Sequence, residues 1–62
     1  MIEHIETQSQ CIYLKKGESE AAAVVFKENG IANAMIFSLK VEEDRKDFSS
    51  YLTKLGYNVI RS

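Results

Sequence analysis

Apolar positions along this chain recur with different periods, and each period predicts a different element. Ile2 and Ile5 stand three apart among Glu3, His4 and Glu6, and the polar run Thr7-Gln8-Ser9-Gln10 follows. Strict alternation fails there, so residues 1–7 predict a short edge strand closed by a turn. Cys11-Ile12-Tyr13-Leu14 is a continuous β-branched and aromatic run ending at Lys15-Lys16-Gly17. Such a run predicts a strand buried on both faces. Residues 31–39 form the clearest strand, with Met35, Phe37 and Leu39 to one side and Ala34 and Ile36 to the other. Both sides are apolar, which predicts a central strand. Phe48, Tyr51, Leu52 and Leu55 fall at i, i+3, i+4 and i+7, which predicts an amphipathic helix over 42–55. Glu42, Glu43 and Asp44 complement the dipole of its first turn, and Asp44 with Asp47 has capping-box spacing. Gly56 closes this helix, Tyr57 folds back on it, and a last strand follows over 57–60.

Residues 18–29 admit two readings. Glu18-Ser19-Glu20 before three alanines favours a helix start, and Ala22, Val25 and Phe26 share a helical face. Asn29-Gly30-Ile31 then ends that helix. The rival reading is a β-hairpin at 23–37, with Val24-Val25-Phe26 as strand and Asn29-Gly30 as a type I′ turn. The helix is preferred, because Phe26-Lys27-Glu28-Asn29-Gly30-Ile31 echoes Leu52-Thr53-Lys54-Leu55-Gly56-Tyr57.

With that choice the expected fold is a small two-layer α/β sandwich of order β-β-α-β-α-β. Two right-handed crossovers place both helices on one face of a three- to four-stranded sheet. The other face is left uncovered although its strands are apolar, and such a face is an interaction surface. The expected occupant is a second copy of the chain, or another protein. Tyr13, Met35 and Phe37 are the expected partner-binding residues, with Glu42, Glu43 and Asp44 setting specificity by charge.

Composition narrows the function further. The 62 residues are 45% apolar and 27% charged, which suits a single globular domain spanning 1–62. A net charge of −1 leaves no electrostatic footprint for nucleic acid or an anionic membrane. The longest apolar run, Ala21 to Phe26, is too short for a membrane span or a signal segment, so a cytoplasmic protein is expected. A single cysteine excludes an internal disulfide. Apolar burial and conformational entropy each come to about 90 kcal/mol for such a chain and nearly cancel. Small domains offset that balance with staples or partners, which again favours association.

Little in the chain carries chemistry. His4, the lone histidine, lies among carboxylates near a terminus and reads as a surface residue. Cys11 heads an apolar strand and reads as a packing residue rather than a nucleophile. A His4–Cys11 dyad would lack an oxyanion hole and an orienting group. Glu18, Glu20, Glu42, Glu43 and Asp44 read as acidic helix caps. No Gly-rich phosphate loop is present, and the acidic spacing matches no calcium loop. The absence of proline excludes catalysis by an amino-terminal proline. Lys15-Lys16 and Arg45-Lys46 read as solvated pairs. Tyr13, Phe37 and Tyr57 could form a base-stacking platform only against the charge balance. The expectation is a non-enzymatic interaction or regulatory module, inhibitor- or adaptor-like and homodimeric, with no metal or cofactor. The alternative is a small nucleic-acid binder that uses the same sheet face.

Overall fold

The computed structural model describes residues 2–60; Met1, the first residue of the expected edge strand, lies outside them. Five strands form one mixed sheet in the order β1-β2-β3-β4-β5. They are β1 (Ile2–Gln8), β2 (Cys11–Lys16), β3 (Ser19–Glu28), β4 (Ile31–Leu39) and β5 (Asn58–Val59). The first four run as an antiparallel meander. A 3₁₀ turn, Glu42–Asp44, leads into α1 (Arg45–Lys54), which carries the chain to β5, parallel to β4.

The expected two-helix sandwich is therefore wrong. Residues 18–29 form no helix: Ser19–Glu28 is the central strand of the meander, paired on both sides. Ala21, Ala22 and Ala23 have high helix propensity, but each pairs with β2 on one side and β4 on the other. Two ladders of tertiary pairing outweigh a local preference of tenths of a kcal/mol per residue. The β-branched and aromatic run Val24-Val25-Phe26 suits a pleated strand. The hairpin reading of Asn29-Gly30 holds, with φ of 53° and 79° at the two loop positions. Positive φ at both is what a type I′ turn requires. Only one crossover exists, and the echo between residues 26–31 and 52–57 joins unlike structures.

Gly30→Val should cost about 1–2 kcal/mol, because a β-branched residue is strained at positive φ. Urea unfolding checks this; an unchanged midpoint would contradict the turn.

The helix covers one face of the sheet. Phe48 and Leu52, both fully buried, pack over Ile12, Leu14, Ala21, Ala23, Ala34 and Ile36. The small side chains of β3 and β4 leave room for the Phe48 ring between sheet and helix. α1 ends in a Schellman motif: Tyr57 N–H donates to Leu52 O (3.1 Å) and Gly56 N–H to Thr53 O (3.0 Å). Gly56 takes a φ of 103° there, and Tyr57 packs against the core.

Two irregularities shape the sheet. The β1–β2 register shifts between His4 and Glu6, leaving Ile5 as a bulge. This accounts for the three-residue spacing of the isoleucines: Ile2 packs on the core, while Ile5 stays 48% exposed. The β3–β4 register shifts opposite Ala22 and Ala23, leaving Phe37 as the extra residue of β4. A bulge re-aims the side chains beyond it. Leu39 thus joins Ile36 beside the core, and Phe37 is left 57% exposed.

Candidate functional site

The second sheet face has no element over it among the described residues. β3 alternates without interruption, so Ser19, Ala21, Ala23 and Val25 point toward the helix and Glu20, Ala22, Val24, Phe26 and Glu28 point away. The ladders then place the neighbours on the same side. Tyr13 stands beside Ala22, Cys11 and Met35 flank Val24, and Asn33 lies beside Phe26. Cys11, Tyr13, Val24, Phe26 and Met35 are all half-buried. They form one continuous apolar strip across three strands.

The strip has a polar anchor at one end and a recess at the other. Asn33 is buried; its Nδ2 donates to Ile31 O and its Oδ1 accepts from Asn58 Nδ2, both at 3.0 Å. This in-register Asn33–Asn58 pair joins β4 to β5. At the opposite end lies a recess of about 410 Å³, lined by Ala22 together with Ile5, Tyr13, Glu20, Ser38, Leu39 and Lys40.

Charged groups gather on the helix side instead. The Lys16 ammonium bonds to Asp44 at 3.2 Å and to Asp47, tying the β2–β3 hairpin to the start of α1. These partners, Asp47 first, hold the Lys16 pKa above 10.5. The Asp44 carboxyl is held below 3.8 by the neighbouring Ser19 hydroxyl and then by Lys16. Ser19 Oγ is buried and reaches no partner in hydrogen-bond geometry, so its effect on Asp44 is that of a nearby dipole. Asp44 makes no side-chain cap, contrary to the capping-box expectation, because its carboxylate is engaged by Lys16. Arg45 pairs with Glu42 at 2.6 Å and lowers its pKa.

The sign of the pH effect follows. Asp44, with its pKa lowered on folding, stabilises the fold above 3.8 and loses that contribution as pH falls below it. Lys16, with its pKa raised, contributes below 10.5 and loses its contribution as pH rises through its folded value. Melting followed by circular dichroism should show Lys16→Met less stable at pH 7 and closer to the natural chain at pH 3. An identical deficit at both pH values would contradict this.

The expected partner residues are brought together only in part. Tyr13 and Met35 lie on the open face. At the β4 bulge Met35, Phe37 and Glu42 line one recess with Ile36, Leu39 and Arg45. Glu42 also lines, with Glu43, a second recess of about 520 Å³ beside Ile36, Arg45 and Val59 at the helix start. Asp44 belongs to the Lys16 cluster. Tyr57 packs on the covered side, so Tyr13, Phe37 and Tyr57 form no common platform. His4 Nε2 contacts Thr7 Oγ1 at 2.7 Å and pairs across the ladder with Leu14, whereas Cys11 pairs with Gln8. The two are not brought together. Among the described residues no group of three or more His, Cys, Asp or Glu could hold a metal, and no helix is long and apolar enough to cross a membrane.

No protein-family model, curated protein or solved structure matches this chain. The face has to be read from its own residues. Sequence reasoning missed Val24, Phe26 and Ala22 on it; the β-branched and aromatic run Val24-Val25-Phe26 before Asn29-Gly30 was the available signal.

Proposed function

We propose that this chain is a non-enzymatic protein–protein interaction module that self-associates through its open sheet face, in an inhibitor- or adaptor-like regulatory role. The observation that carries this reading is the apolar strip of Cys11, Tyr13, Val24, Phe26 and Met35, which no element among the described residues covers. A contiguous apolar patch on a sheet face favours burial against protein. A second copy is the occupant favoured by the size of the core. Its buried apolar side chains are few and four of them are alanine, so the fold gains from a partner that is always present. Each face also carries both signs of charge at one end, Glu3, Lys15, Glu20 and Lys40, which suits self-association better than a strongly charged partner.

Light scattering coupled to gel filtration at micromolar concentration tests this. The expected mass is twice 7.0 kDa; a mass of 7.0 kDa throughout contradicts the reading. Tight, salt-sensitive binding of single-stranded nucleic acid in a low-salt mobility-shift assay would also contradict it.

A further inference from the structure

The open face of β3 reads Glu20-Ala22-Val24-Phe26-Glu28, and its relief is opposite on the two sides of Val24. On one side Ala22 lines the 410 Å³ recess beside Glu20, and on the other Phe26 stands as a half-buried ring. Ala22 and Phe26 stand two residues to either side of Val24 on this face. An isologous interface places a surface against itself, so it needs this pairing of hollow and projection. We propose that two copies pack face to face about a two-fold axis crossing β3 at Val24, which sets each Phe26 into the recess over the partner's Ala22. β3 then runs antiparallel to its counterpart, with the sheets near the aligned packing common in β-sandwiches. The alternative two-fold, parallel to the strands, sets the Phe26 end of one copy against the Phe26 end of the other and leaves both recesses empty.

Charge supports the antiparallel choice. Lys15 pairs with Glu20, and Lys40 N–H donates to Glu20 O at 3.0 Å, so both lysines belong to the recess end. Glu28 lies at the Phe26 end, opposite Ile31. The axis carries Glu28 of each copy to the end that holds the partner's Lys15 and Lys40. That end is balanced, since Glu20 lies between the lysines and Glu3 pairs with Lys15 from β1, whereas the alternative two-fold sets Glu28 against Glu28.

The inference rests on self-association through this face, and the test separates the two. Sedimentation equilibrium would compare the natural chain with Ala22→Phe, Phe26→Ala and the double variant. Ala22→Phe should raise the dimer dissociation constant by about 100-fold, because two rings then meet at each site. Phe26→Ala should raise it by about 10–100-fold by emptying both recesses. The double variant exchanges ring and hollow at positions the axis interchanges, so it should return to within about tenfold of the natural chain, against non-additive neighbours in general. Singles that weaken the dimer without recovery in the double, or singles without effect, overturn this register while leaving self-association standing. A monomeric natural chain overturns the underlying reading instead. Glu28→Lys with Lys40→Glu reads the same register at exposed positions, where folding is not at stake. Glu28→Lys should weaken the dimer at low salt and the pair should restore it; no recovery overturns the proposal even if Ala22→Phe fails to fold.

Discussion

Phe48→Ala should remove about 3–5 kcal/mol of folding stability, the range for truncating a fully buried aromatic side chain. The ring has no solvent exposure and, with Leu52, joins the helix to the apolar cluster of the sheet that holds Ala21, Ala23 and Ala34. Those alanines cannot move in to fill the space, so the transfer loss and the cavity add. A chain of 62 residues has roughly 3–9 kcal/mol to lose at ordinary stabilities per residue. The variant should therefore be largely unfolded at 37 °C, as urea titration followed by circular dichroism would show. Tyr51→Ala, at a half-buried position of the same helix, should cost less. A Phe48→Ala chain within 1 kcal/mol of the natural one, set against about 3 expected, would mean that α1 is not seated as described.

Val24→Lys should have the opposite character. It should leave the monomer folded and abolish association. Val24 is half-buried on the open face, and in a single copy a lysine there can extend its stem and keep its ammonium in water. Between two faces the same ammonium is desolvated without a partner. Such burial costs several kcal/mol, enough to weaken the dimer by about 100-fold or more. Dispersed amide resonances together with a mass near 7.0 kDa are the expected result. A dimer of undiminished strength would place the interface elsewhere.

Much of the fold is legible in the sequence, and the exceptions share a cause. β2, β4 and α1 follow from local pattern: the two strands from short β-branched and aromatic runs, the helix from apolar positions at helical spacing. β3 does not. Its alanines carry a helical preference, and what decides its state is pairing with residues 11–16 and 31–39, a non-local property. Val24-Val25-Phe26 and the Asn29-Gly30 pair were the local signs of the hairpin. Bulges are illegible for a related reason: one extra residue at Phe37 puts Leu39 and Met35 on different sides of the sheet, although simple alternation sets them together. The open face was expected from two helices on one side, and it exists with one. Tyr13 and Met35 are placed on the open face by strands that local pattern predicts, while the positions of Ala22, Val24 and Phe26 there went unread with β3. The Lys16–Asp44 contact spans 28 residues and replaces a cap that spacing alone suggested.

The central claim is that the open face itself becomes buried when chains meet. Cys11 is the sole thiol, half-buried beside Val24 on that face, and it reports directly on the face's exposure. Its rate of labelling by a small maleimide should be measured across a range of protein concentrations, from nanomolar to tens of micromolar. The expected rate falls as concentration rises, and the fall is abolished in Val24→Lys. A rate independent of concentration, in a sample that scattering shows to be associating, would contradict it.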